Sequence, residues 1–398
     1  MNRFPFKKNA GVTVIEVLFA AGIAVFGLIG IASLIGVAGR QASQANEVAE
    51  AQALSNSWYA DFVTRGLNDS SQWRWFNDQL GGAYAAKFVA FANSGSPSSM
   101  TSTPSVRTAF RHAICIDPTF FADATNITAM SLPNTFGAAQ AYRPGLFPYY
   151  QDNFDPTSDP FAPAALGADM PRLLRVSLAS SVAAGIMSET LVEQIFQSHD
   201  DLDPVQDEDD KTLPATRFIN TGGGKLLSKG KYNWFATLSP REFASTLEFS
   251  NSTSSEKLYT LDIVVMHRRD RQFFVPLSGG VENIPQGERL LAVTSTTSFT
   301  GGSGGRVIMS ASIEVSDKIR TGDWVMLARH QDSTMSRSAI VRWYRIVGLD
   351  AEPTLTSTTW SRNVILDGPD WVFDSANPTQ ATLVPNVVTV LERVIPVY

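Results

Sequence analysis

The chain has one cysteine, Cys115, so no disulfide can form within it. Exported domains often rely on such bonds; this one must be held by core packing or by an ion. Histidines are few: His112, His199, His267 and His330. None has a partner at metal-ligand spacing, and His112 with Cys115 is too sparse for a zinc site. No metal ligands are therefore assigned. Charged residues make up only 18% of the chain and the net charge is −6. That balance argues against a general nucleic-acid binder. No segment repeats at a fixed period, which excludes solenoids and propellers.

The scarcest feature is charge near the start. Residues 1–11 carry Arg3, Lys7 and Lys8 and no acid, and no charged residue occurs from Val17 to Gly39. Nor is there a proline between Gly11 and Gly66. The apolar run exceeds the roughly 18 residues that suggest a membrane-spanning helix. The basic leader is kept cytoplasmic by the positive-inside tendency. A secretory signal would have a shorter apolar core followed by a small-residue cleavage site. Here the processing point lies before the run, at Gly11. One acid, Glu16, stands at the mouth of this run, where a carboxylate is costly unless a partner neutralises it.

Gly11, Glu16 and the surrounding Ile15-Glu16-Val17-Leu18 resemble the N-terminus of the type IV pilin family, which includes minor pilins and the pseudopilins of type II secretion. Val12 stands where that family most often has Phe. The resemblance covers about the first 55 residues. It implies cleavage after Gly11 by a prepilin peptidase, N-methylation of Val12, and assembly with other pilin or pseudopilin subunits. Pairing of Glu16 with the Val12 amine of a neighbouring subunit would offset the cost of burying either charge and fix the axial register. The alternative is that Glu16 snorkels to the headgroups of a signal anchor.

Beyond Arg40, the residues Val48, Ala51, Leu54, Trp58 and Phe62 recur at helical spacing, and Gly66 is a stop signal. One helix from about Val12 to Arg65 would be roughly 80 Å long at 1.5 Å per residue. Its membrane half, residues 12–40, is rich in small residues, with Ala32 and Gly36 four apart; its half from 41 to 66 is amphipathic. Residues 67–213 read as a loop-rich insertion laid over a core. Within it Trp73, Trp75 and Phe76 suggest a short buried helix, Arg172–Ala179 a strand and Ser188–Gln197 a short helix. The acidic run 200–210 carries Asp201, Asp203, Asp207 and Asp209. Clustered carboxylates suit calcium, but the glycine turn and distal Glu of an EF-hand are missing. A solvated acidic loop is the preferred reading, with calcium as the alternative.

Residues 214–398 read as successive strands. Leu258–His267 and Gln272–Leu277 suggest a hairpin, whose tip, Arg268-Arg269-Asp270-Arg271, is read as a solvated turn. Gly301-Gly302-Ser303-Gly304-Gly305 formally matches the nucleophile elbow, yet an alternating strand pattern follows where that motif needs a helix; it reads as a hairpin loop. Gly222-Gly223-Gly224-Lys225 lacks the phosphate-loop spacing. No catalytic residue is assigned, no enzyme is expected, and no cofactor is required. The fold class predicted is α+β and pilin-like: a long N-terminal helix packed on an enlarged antiparallel sheet. The function predicted is a filament subunit of the inner membrane, with the head outside the cytoplasm. A membrane-anchored adhesin or substrate-binding tip on the same stalk is the alternative.

Overall fold

The computed structural model describes residues 13–76, 88–90, 113–122, 145–149, 171–180, 185–198, 232–240, 257–267, 269, 288–295, 297–312, 319–330, 339–350, 352–356, 359–374 and 378–398. The chain divides into two compact units, residues 1–50 and 51–398.

Helix α1 runs Val14–Thr64. It stops where a glycine permits the left-handed turn: Gly66 has φ +67°. The Gly66 N–H donates to the Val63 carbonyl at 3.1 Å and the Leu67 N–H to the Phe62 carbonyl at 3.0 Å. That pair of bonds is the Schellman closure, and the burial of both Leu67 and Phe62 supplies its apolar contact. In the first unit, the span Val14–Ile35 is long and apolar enough to cross a membrane, and none of it is buried.

In the second unit the strands are, in chain order, β1 (Trp73–Phe76), β2 (Phe88–Ala90), β3 (Ile114–Ile116), β4 (Leu146–Phe147), β5 (Leu173–Leu178), β6 (Tyr232–Pro240), β7 (Lys257–His267), β8 (Arg289–Thr294), β9 (Gly305–Ser312), β10 (Trp324–His330), β11 (Ala339–Leu349), β12 (Thr354–Leu355), β13 (Thr359–Asp367), β14 (Gln380–Leu383) and β15 (Val387–Val397). Among the described residues two short α-helices accompany them, α2 (Pro118–Ala122) and α3 (Glu189–Phe196). Ser188 caps α3 by accepting from the Leu191 N–H.

The strands form two layers. One is a mixed sheet in the order β15-β7-β6-β3-β5-β1-β2, with β4 also beside β5. Its β3 and β5 run parallel, which aligns Cys115 with Arg175. The other is a closed antiparallel barrel of six strands, β11-β10-β14-β8-β9-β13, sealed by β13 pairing back to β11, with β12 added beside β13. Side chains alternate across each strand. One face of the mixed sheet buries Ile114, Val176, Trp234, Ala236 and Ile263 against Trp58 and Phe62 of α1 and Phe196 of α3. The opposite face sets Cys115, Leu173, Phe235 and Val264 against Met326, Ala328, Val341 and Trp343 on the wall of the barrel. The barrel is filled from within by Val307, Met309, Val325, Leu327, Tyr344, Val364 and Leu366.

This architecture corrects the predicted fold class. The protein is mostly β, and its strands form a mixed sheet plus a closed barrel rather than one enlarged antiparallel sheet of pilin-like type. The reason is topological: the strands of a barrel and of a one-sided open sheet show the same alternation, and the barrel depends on pairings between segments far apart in the chain, β13 with β9 and β14 with β8, as well as on the return of β13 to β11. Trp73–Phe76 is a strand, not a helix; its pairing with β2 and β5 overrides local preference. Residues 67–213, read as an overlay, supply five strands of the mixed sheet itself. The hairpin partner proposed for β7, residues 272–277, lies outside the described residues, and β7 has β6 on one edge and β15 on the other. The glycine-rich loop does join an antiparallel pair, β8 and β9.

Trp234 is the point where helices and sheet meet. It stacks on Trp58 at 6.0 Å and Phe196 at 4.4 Å, and its indole N–H donates to the Ile195 carbonyl at 2.9 Å. Trp234→Ala is expected to destabilise the unit by about 3–5 kcal/mol, read as a lower denaturant midpoint. An unchanged midpoint would mean that this stack is not part of the cooperative core.

Candidate functional site

The N-terminal site is visible from Thr13 onward; Gly11 and Val12 lie outside the described residues. Thr13 precedes the helix, and its hydroxyl accepts from the Glu16 backbone N–H at 3.3 Å. The Thr13 carbonyl accepts from the N–H groups of Glu16 and Val17 at 3.0 and 3.2 Å. Thr13-Val14-Ile15-Glu16 is thus a cap residue followed three places later by Glu, the sequence of a capping box. Glu16 occupies the first turn, where the helix dipole favours an anion. It is exposed, as are the apolar side chains that follow it. Helix initiation therefore gives Glu16 a local role that needs no partner, and it stands at the N-terminal end of an uncovered apolar surface.

The second feature is a buried quartet of charges on the barrel-facing side of the mixed sheet. Arg175 stands in mid-strand on β5, between Leu174 and Val176, which point to the opposite face. Its guanidinium bonds Asp117 through Nη1 and Glu288 through Nη2, and its Nε–H donates to the Leu146 carbonyl at 3.2 Å. Arg269, two residues past β7, grips both oxygens of Asp117 at 2.7 Å and approaches Glu288 Oε1 at 3.4 Å. Backbone donors complete the acids: Phe120 N–H to Asp117 Oδ1 and Tyr149 N–H to Glu288 Oε2, each at 3.3 Å. The Phe120 ring lies 3.9 Å from the Arg175 guanidinium carbon, a cation–π contact.

Two cations and two anions cancel, so the cluster is a closed network. Burial alone would raise the Asp117 carboxyl, but the charge and hydrogen bonds of Arg269, with Arg175 behind them, hold it below the ordinary carboxylate range. Burial lowers the proton affinity of both guanidiniums, yet the facing acids more than reverse that and keep them charged. Cys115, on the strand that leads into Asp117, is pushed well up by burial. It is a neutral thiol with none of the thiolate character a nucleophile requires. Every charge in the quartet is matched, so its chemistry is cohesion rather than catalysis.

The structure treats the sequence candidates unevenly. Glu16 is placed and capped. Asp201, Asp203, Asp207 and Asp209, the calcium alternative, lie outside the described residues. Among the described residues no group of three or more His, Cys, Asp or Glu could hold a metal ion. Arg269 corrects the solvated-turn reading of the basic tip: its side chain is only 4% exposed, because it neutralises Asp117. Arg268, Asp270 and Arg271 lie outside the described residues. Ser303 is exposed on the β8–β9 loop, where Gly301, Gly302 and Gly304 all adopt positive φ. Sequence reading missed Asp117, Arg175 and Glu288. The available signal was Arg175 itself, a lone cation inside the apolar strand Leu173–Leu178, which must find an acid.

Removing one member of such a network strands the others. Arg269→Met is expected to cost about 3–5 kcal/mol of unfolding free energy. Asp117→Asn lowers stability at neutral pH. It also removes part of the loss seen on acidification, because a depressed carboxyl contributes stability above its unfolded value, about 3.9, that disappears as pH falls through the lower folded value. Cys115 is expected to resist iodoacetamide at about pH 8 until the chain is denatured; rapid labelling of the folded protein would contradict its burial. No protein-family model matches the chain, and no curated protein matches it either.

Proposed function

We propose that this chain is a membrane-inserted filament subunit of the type IV pilin-like kind, a minor pilin or a pseudopilin. It is processed after Gly11 and held in the inner membrane by Val14–Ile35, and it assembles with other such subunits through that helix. The observation that carries this reading is the wholly uncovered apolar span, preceded by a capped first turn that bears its single acid. An apolar surface of that length is covered either by lipid or by the same helix of neighbouring subunits. Glu16 and the amine exposed on Val12 are then the polar contact that sets register between subunits.

The reading draws on the N-terminal residues and not on the rest of the fold. The alternative is a membrane-anchored adhesin or substrate-binding tip that uses the same stalk, with the second unit as the delivered module.

Mass spectrometry of the mature chain is expected to find Val12 as an N-methylated terminus. A terminus at Met1, or cleavage near residue 40, removes the processing claim. Glu16→Ala is expected to leave the protein in the membrane fraction while abolishing its recovery in sheared filaments. Filaments that incorporate Glu16→Ala normally would leave Glu16 with capping alone.

A further inference from the structure

We propose that Asp262 is a proton-operated latch on the seam between the mixed sheet and the barrel: it holds a proton while the seam is closed and releases it when the seam opens. Asp262 lies on β7 and is 0% exposed. Its Oδ2 accepts from the Thr237 hydroxyl on β6 at 3.0 Å, and that hydroxyl accepts from the Trp343 indole N–H on β11 at 3.0 Å. A hydrogen-bond relay therefore crosses from β11 on the barrel wall through β6 to its neighbour β7. Ser239, two residues along β6, donates from its hydroxyl to the Val341 carbonyl at 3.3 Å and ties the same two strands.

The far oxygen is what makes the site a latch. Among the described residues Asp262 Oδ1 has no hydrogen-bond partner, although it is buried. The charged groups facing it do not compensate. Glu392 on β15 stands directly opposite in the strand register, and like charges placed so are destabilising. Among the described residues Arg342 on β11 is the cation that acts on it, and that guanidinium already donates to the Val341 carbonyl at 3.0 Å and to Ser239 Oγ at 3.4 Å. β6 contributes only the neutral Thr237 at this position. Ionised, Asp262 would be a buried charge with one bare oxygen and an acid across the ladder. Burial first, and Glu392 second, lift its carboxyl to about 8, against the opposing pull of Arg342 and Thr237.

Opening the seam lets water reach Oδ1 and returns the carboxyl to the ordinary range near 4. The closed state then binds a proton that the open state does not. Because the closed-state affinity is the raised one, its contribution to stability is complete below about pH 4 and is lost as pH rises towards about 8. The opening constant should climb about tenfold per pH unit across that interval and level off above it. This coupling is independent of processing at Gly11 and of assembly through Glu16.

Hydrogen exchange of the full-length chain in detergent micelles tests it. Protection factors of amides on β6, β7, β10 and β11 are measured between about pH 5 and pH 9, corrected for intrinsic exchange. Wild type should lose about tenfold protection per pH unit up to about pH 8 and then plateau. Asp262→Asn, which cannot ionise, should give a flat profile. Glu392→Gln alters an exposed side chain and removes the opposing acid, so its plateau should begin at a lower pH. A flat wild-type profile overturns the proposal, as does an Asp262→Asn profile with the wild-type slope. If Asp262→Asn does not fold, Glu392→Gln decides: a plateau unmoved from wild type overturns the latch.

Discussion

The constraint on which the second unit depends is that the central strands of its mixed sheet, β3, β5 and β6, are buried on both faces. Helices α1 and α3 cover one face and the barrel wall covers the other. All nine residues of β6 are buried as a result. A strand in that position cannot present a polar face to water, so each polar side chain on it must be satisfied inside the protein. Trp234 meets this demand by bonding the end of α3, Thr237 by bridging Asp262 and Trp343, and Ser239 by bonding the barrel backbone. The charge quartet is the same solution at larger scale. Arg175, on the barrel-facing side of β5, is made tolerable by acids drawn from two distant parts of the chain.

The first unit faces the opposite constraint. Its apolar side chains are uncovered from Val14 to Ile35, and in water that surface would be driven to associate. At its start the hydrogen bonding is local and sufficient to begin a helix at Thr13. An uncovered helix with an organised polar end is suited to a lipid bilayer or to a bundle of like helices.

What could be read from the residues follows from how local each signal is. The approximate bounds of α1, the short helix at Ser188–Gln197 and the strand at Leu173–Leu178 rest on patterns a few residues long, and they were legible. The barrel was not, because β8–β9 is a local hairpin while the β11–β13 closure joins strands whose alternation is indifferent to it. Nor was the parallel pairing of β3 with β5, which brings together segments about sixty residues apart. The quartet shares that difficulty. A cation in an apolar strand announces that an acid is needed but does not name it, and Asp117 and Glu288 lie 58 and 113 residues from Arg175. Asp262 carried the same warning within Leu261-Asp262-Ile263, and its side-chain hydrogen bond is to the neutral Thr237.

The contrast between these two buried polar sites bears on how sheet and barrel find one register. An apolar seam of alternating side chains would tolerate a slip of two residues with little loss, since period-two patterns repeat at that step. Directional bonds across the seam remove the tolerance. Trp343 reaches Thr237 and Ser239 reaches the Val341 carbonyl, and a slip would break both at once while leaving their partners buried and unsatisfied. The quartet adds a second lock near the same face, because Glu288 immediately precedes β8 of the barrel while Asp117 and Arg175 belong to the sheet side. The two locks differ in what they demand of protons. The quartet is matched charge for charge and holds at neutral pH; Asp262 is unmatched and holds only while neutral itself. A seam fixed by both is specific in register yet adjustable in strength, and the adjustable part is the Asp262 carboxyl, whose Oδ2 is bonded and whose Oδ1, among the described residues, is not.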